Sequence, residues 1–255
     1  MTAPPDQLTI TPLPGMPEVR PDDDLVALLA DSIDRTGLGL AVGDIVVVTH
    51  KVVSKAEGRL VDLRTIEPST LAVDWATRHG KDARQVEVVL RESVRIVRMD
   101  RGVLIAETAH GLICANAGVD ASNVAPDTVC LLPEHPDRSA EGIAAGLGGR
   151  FGVVPAVVVT DSFGRAWRNG IVNVAIGIAG LPALTDYRGE TDAAGYSLHV
   201  SVLATADEVA AAAELVMNKL DAVPAALIRG YQSPGDHAAG TGRDLIMDPT
   251  RDLFR

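Results

Sequence analysis

Cysteine is nearly absent, with Cys114 and Cys130 serving the whole chain of 255 residues. Two cysteines cannot build a disulfide framework, and their separation is not that of a zinc site, so both are expected to act as small buried hydrophobes. Basic charge is also short: 23 Lys and Arg stand against 34 Asp and Glu, a formal charge of −11. Such a surface repels a phosphate backbone, and no basic run is interleaved with aromatics, which argues against nucleic acid as a partner. A small nucleotide is still admissible, because a few cations or bound metals can reverse the field locally. The first ten residues lack the basic stretch and apolar core of a signal peptide, and no apolar run is long enough to span a bilayer. A cytoplasmic location without a membrane partner is the expectation. Fixed-period repeats, Gly/Ser linkers and low-complexity blocks are missing too, so no clean boundary divides the chain. Residues 1–255 read as one unit, or as two intimately joined subdomains.

What is present is an apolar fraction of 47% with 22% charged residues, enough to build a core. Its pattern predicts a mixed α/β fold. Gln7 to Leu13 reads as a short strand ended by the turn Pro14-Gly15-Met16-Pro17. Asp22 to Asp24 can cap a helix running through Asp34. Ile45 to Val48 is a β-branched run expected to be covered on both faces, delivering Thr49 to Lys55 at its end. Two helices divided by Gly80 are expected between Pro68 and Glu92. Strands follow at Ser93–Met99, Val103–Thr108 and Leu112–Ala115, the first two joined by a turn at Asp100 to Gly102. A helix over Ser139–Leu147 is expected to stop at Gly148 and Gly149, and a buried strand over Val153–Thr160 to end on a Gly-containing loop. Strands near Ile171–Ile178 and Leu198–Leu203, a helix over Asp207–Leu220 and a strand at Ala225–Ile228 complete the pattern.

The common nucleotide signatures fail: no G-x-x-x-x-G-K-[ST] loop exists, and Gly146, Gly148 and Gly149 follow a helix rather than opening one. Three other stretches place polar side chains at the ends of apolar strands, where pockets form. The first runs from Thr49 to Arg59. There Lys55 could meet phosphates and Gly58 could permit close approach, or its lysines could simply be solvated. In the second, Ala115 to Val124, Asp120 and Asn123 form a D-x-x-N pair suited to a hard cation and a ligand hydrogen bond. The same residue types also make ordinary turns. In the third, Val157 to Gly170, Asp161 and Ser162 offer oxygen ligands of the kind magnesium or manganese prefers, while Arg165 and Arg168 could clamp an anion. An exposed loop anchored by Trp167 is the alternative there. His110 reads as structural, and Asp207, Glu208 and Glu214 as helix residues complementing a dipole.

Taken together and in this order, these stretches resemble the coenzyme F-420-0:L-glutamate ligase family, the gamma-glutamyl ligases of that coenzyme. The resemblance covers most of the chain. It rests on Leu13-Pro14-Gly15-Met16-Pro17-Glu18, Ser54-Lys55-Ala56-Glu57-Gly58-Arg59, Asn116 through Val124, Thr160 through Gly170, and Ala206-Asp207-Glu208. It implies a distinctive α/β fold, neither Rossmann nor P-loop, and an intertwined homodimer; the reductase-like extension that some relatives carry is not expected here. It implies Asp120 and Asp161 as metal ligands, with Ser162 at the position that touches a second cation. GTP contacts carry over to Met16, Pro17, Glu18, Val19, His50, Lys55 and Asn123, and to the helix end at Met217 and Asn218. The cofactors implied are two magnesium or manganese ions, with potassium a further candidate.

The activity so implied is GTP-dependent attachment of L-glutamate to coenzyme F-420-0 through an acyl phosphate. Asp120, Asp161, Lys55 and Arg165 are expected to carry the transfer, by charge neutralisation and positioning. A ligase using another carboxylate acceptor and a non-catalytic nucleotide-binding regulator are the competing readings.

Overall fold

The computed structural model describes residues 7–233 and 238–252. In chain order the first elements are β1 (Thr9–Pro12), α1 (Leu25–Thr36), β2 (Ile45–Thr49), α2 (His50–Ala56) and β3 (Leu60–Asp62). Then come α3 (Thr70–His79), α4 (Ala83–Arg91), β4 (Ser93–Asp100), β5 (Val103–Thr108), β6 (Ile113–Ala115) and β7 (Thr128–Cys130). The last are α5 (Pro136–Phe151), β8 (Ala156–Arg165), β9 (Arg168–Ala179), β10 (Thr185–Asp186), β11 (Val202–Leu203), α6 (Thr205–Met217) and β12 (Ala225–Arg229). The fold is mixed α/β.

Its centre is a five-stranded sheet in the order β1-β12-β2-β8-β9. The β2 and β8 strands run parallel, whereas the other neighbours are antiparallel. Apolar residues on both faces of β2 explain this central place: Ile45, Val46, Val47 and Val48 are all buried, as a strand covered on two sides requires. On one face Val46, Val48, Val157 and Val159 pack against Leu29 and Ile33 of α1 and Ile143 and Leu147 of α5. On the other, Ile45, Val47 and Val158 meet Val209, Ala213 and Met217 of α6. The excursion between β2 and β8 builds further clusters, one around Leu63, Val89, Leu104 and Val129 and one around Trp75, Ala76 and Val86. No helix among the described residues is long and apolar enough to cross a membrane.

Capping follows the sequence pattern. Asp24 accepts from the Ala27 amide at the start of α1, and Gly37 closes that helix at φ 72°, a conformation glycine adopts without a Cβ penalty.

Some expectations are corrected, and some elements were not expected at all. The polar stretch after β2, for which no element was expected, forms a short helix, α2. The helix expected over Ser139–Leu147 runs from Pro136 to Phe151 and ends at Gly152. Two of its inner glycines serve close approach instead of termination, since a Cβ on Gly146 would come within 2.7 Å of Val26 and one on Gly148 within 2.6 Å of Val154, whereas one on Gly149 would meet nothing. The Gly-containing loop after Thr160 is the continuing strand β8, because β9 supplies a ladder partner at every step from Asp161↔Val174 to Gly164↔Ile171. The late strand over Leu198–Leu203 shrinks to β11. Finally, β3 and β7 pair across more than sixty residues of sequence, too short and too distant for a local pattern to announce.

Candidate active site

The register of the central sheet sets the site. β2 ends at Thr49, opposite Thr160 of β8, and from Asp161 onward the β8–β9 hairpin extends past the end of its neighbour. The chain leaving β2 turns at once into α2, so the first residues of that helix face the first residue of the projecting hairpin. His50 is buried, and its Nε2 lies 3.3 Å from Oδ1 of Asp161. The other imidazole nitrogen, Nδ1, is 3.4 Å from Oγ of Ser54, one helical turn on.

The next residue reaches a second carboxylate. Lys51 Nζ donates to Asp120 Oδ2 at 2.5 Å and to Ser122 Oγ at 2.6 Å. Ser122 also donates its amide to Asp120 Oδ1 at 2.7 Å and its hydroxyl to Oδ2 at 2.9 Å. Burial pushes the Asp120 carboxyl up, but the Lys51 ammonium and the Ser122 donors outweigh it and hold the group below its ordinary value. Asp120 is fixed by a bridge to Cys130 beside α2. Successive residues of one short helix thus bind carboxylates from two distant segments.

Lys55 lies on the same helix and is buried, its ammonium ion-paired with Glu18. This draws the Pro14–Val19 turn over α2. The turn is anchored on its other side by α1: Ser32 Oγ donates to the Pro14 carbonyl at 2.7 Å, and Arg35 donates to that of Gly15. Val19 is buried, Met16 packs against the core, and Pro17 is exposed.

Ser162 belongs to a different station. Side chains alternate along a strand, so Asp161 shares the face of Val159 and Phe163, toward α1 and α5, while Ser162 shares that of Val158, toward α6. There Ser162 Oγ donates to Asn173 Oδ1 at 2.6 Å, Asn173 Nδ2 donates to Glu214 Oε2 at 2.8 Å, and Lys219 reaches the Ser162 hydroxyl. The end of α6 therefore does approach the hairpin. Met217 does so only through its backbone, because its side chain is fully buried in the core. Asn218, at φ 54°, turns its amide group to Asp221 at 2.8 Å.

Two of the expected residues stand apart. Arg165 is exposed at the hairpin tip, bonded to the Asn169 carbonyl at 3.1 Å. It is four steps along the strand from Asp161, roughly 13 Å at the usual rise. Asn123 is exposed in a left-handed turn, φ 55°, three residues beyond Asp120. Sequence reasoning passed over Lys51, Asn173, Glu214 and Lys219. Lys51 adjoins His50 in a stretch already singled out for its polar density, whereas the last three acquire their place only through pairing across the hairpin and docking of α6.

Asp120 and Asp161 offer carboxylate oxygens of the kind a hard cation takes, whereas the Ser162 hydroxyl faces the other side of the hairpin; Asp120 and Ser162 each already receive a lysine ammonium group. No cluster of three or more His, Cys, Asp or Glu side chains that could hold a metal occurs among the described residues.

Comparison with known proteins places the chain among ligases. The F420-0:gamma-glutamyl ligase family profile matches residues 15–230, and the chain belongs to that family. It is 45% identical over 251 residues to the coenzyme F420:L-glutamate ligase of Methanopyrus kandleri, covering 97% of this chain and 98% of that protein. The enzyme of the same name from Methanothermobacter thermautotrophicus is 44% identical over 244 residues, 94% and 96% of the two chains. That from Methanocaldococcus jannaschii is 41% identical over 214 residues, 84% and 85%.

Proposed function

We propose that this protein is a GTP-dependent ligase that joins L-glutamate to coenzyme F420-0 through an amide bond, working as a homodimer. The observation that carries the reading is the paired grip of α2, His50 on Asp161 and Lys51 on Asp120, in a chain similar along nearly its whole length to coenzyme F420:L-glutamate ligases.

Asp120, Asp161 and Ser162 would hold two divalent cations, which supply charge neutralisation for the triphosphate. The residues of the chain do the rest. Lys51 and Lys55 each rest on a carboxylate, so both ammonium groups can be handed to phosphate oxygens without first being drawn out of bulk water. His50 keeps Asp161 oriented from a buried position. A carboxylate oxygen of the acceptor attacks the γ-phosphorus, the bond to the β-phosphate oxygen breaks, and GDP leaves. The acyl phosphate so formed has the leaving group that a free carboxylate lacks. The glutamate amine then attacks the acyl carbon, inorganic phosphate departs and the amine proton is lost to solvent. Water must be kept out meanwhile, because hydrolysis would consume the intermediate.

Incubating the protein with GTP, magnesium or manganese, glutamate and the unglutamylated coenzyme should give GDP and a product heavier by one glutamate residue. Amide formation on a different carboxylate alone would replace the acceptor in this reading. Nucleotide binding without GDP release in the presence of both substrates would replace it with a regulator.

A further inference from the structure

A cavity of about 470 Å³ opens at the start of α5, bounded by the β5–β6 turn, by β9 and by the short helical turn Gly242–Leu245. Its floor is aliphatic, made by Leu112, Ile176 and Ile246. Arg138 and Arg243 stand exposed on its rim, and neither guanidinium meets a carboxylate among the described residues. Asp137 also faces the cavity, but its Oδ1 accepts from the amides of Ile178 and Gly242, both at 2.8 Å. The exposed Glu134 is the other acidic group of the lining.

The walls are constructed rather than accidental. A Cβ on Gly177 would lie 2.4 Å from the Pro136 backbone, and one on Gly242 would lie 2.4 Å from the Ile176 carbonyl. Absent side chains at these two positions let three segments close together, and the two bonds of Asp137 tie them.

The cavity adjoins the carboxylate station. Asp161 pairs with Val174, and Ile176, two residues further along β9, packs in the same core cluster as Val174. Leu112 lies two residues before Cys114, whose thiol feels the negative charge of Asp161.

We infer that this cavity seats the acceptor, a flat conjugated ring system lying on Leu112, Ile176 and Ile246 with its anionic groups held by Arg138 and Arg243 and its reacting carboxylate directed toward Asp161. The inference rests on the function proposed above and adds residues outside the phosphate and cation stations. Free glutamate matches less well. It is far smaller than the cavity and has no surface to set against three aliphatic side chains, whereas ligand sites of this size typically pair an apolar lining with a few charged anchors.

Titrating the unglutamylated coenzyme into the protein without GTP, by calorimetry or by its own absorbance, tests the assignment. Arg138→Glu and Arg243→Glu, both at exposed positions, should each raise the coenzyme Kd by about tenfold or more while leaving GTP affinity within about twofold. Ile246→Trp, which fills the space without altering charge, should weaken the coenzyme as well. Unchanged coenzyme affinity in all three variants, with a wild type that still forms product, would overturn the inference and leave the proposed function standing. Loss of glutamate affinity with coenzyme binding intact would overturn it in favour of an amino-acid site. A wild type that binds no coenzyme would overturn the inference, and one that also forms no product would overturn both.

Discussion

His50 Nε2 stands 3.3 Å from Asp161 Oδ1, joining the residue that opens α2 to the residue at which β8 outruns β2. Because both strands are parallel and in register at Thr49↔Thr160, this contact is fixed by the core of the sheet. The buried valines of β2 and β8 thereby set the position of a carboxylate and an imidazole at the edge of a cleft.

Asp161→Asn should lower turnover by at least about 10²-fold, the usual effect of removing a preorganised charge from a transferring group, and should weaken divalent-cation binding in a separate titration. Equal metal affinity and equal turnover would remove Asp161 from the mechanism. Thermal unfolding of the variant should stay close to wild type, since asparagine keeps the shape of a side chain that is 17% exposed and removes only its charge.

Lys51→Met addresses the second grip. The Asp120 carboxyl is held below its ordinary value, so its contribution to stability is complete above an unfolded value of about 3.9 and fades as pH falls through the lowered folded value. The variant should be less stable by roughly 0.2–1 kcal/mol at neutral pH, the scale of a partly solvated pair. That difference should hold down to about pH 5 and shrink below about pH 4. Urea midpoints measured across this range decide it; a deficit that grows toward acid would contradict the pairing.

Gly177→Ala should destabilise the fold, because its Cβ would meet main-chain atoms of Pro136 that no side-chain rotation can move aside. Overpacking of this kind costs about 1–3 kcal/mol, a fall in Tm of several degrees for a chain this size. Gly149→Ala is the control, since its Cβ meets nothing within 4 Å; it should leave Tm unchanged or raise it slightly.

Cys114 and Cys130 should both resist alkylation at pH 8 in the native protein and react fully in denaturant. Burial, reinforced by the charge of Asp161, pushes the Cys114 thiol up to about 12, and burial likewise raises that of Cys130. The thiolate that would attack is therefore scarce as well as hidden. Mass spectrometry of the alkylated protein reads the outcome directly, and rapid native labelling at either position would show the site to be more open than described.

Much of this organisation is legible in the chain because the causes are local. The β-branched run at Ile45 to Val48 can only be a strand covered on both faces, and Asp24 with Gly37 marks where α1 begins and ends. Asp120, Asp161, Ser162, His50 and Lys55 stand out as polar residues beside apolar strands. The same reasoning fails at Asp161 to Gly170, where polarity suggests a loop and the partner strand β9 makes a ladder. It fails again at Gly148, whose neighbour Val154 makes it a packing residue instead of a stop.

By itself, then, the sequence determined the longer strands and helices, the capping residues and the set of side chains from which a site could be drawn, since these follow from periodicity and polarity over a few neighbours. Tertiary structure alone decided that Lys51 meets Asp120, 69 residues away, that Asp161 and Ser162 face opposite sides of one hairpin, and that Arg138 and Arg243 share a cavity. Those relations depend on sheet order, register and helix docking, which sum small contributions from the whole chain and leave no mark on any short stretch of it.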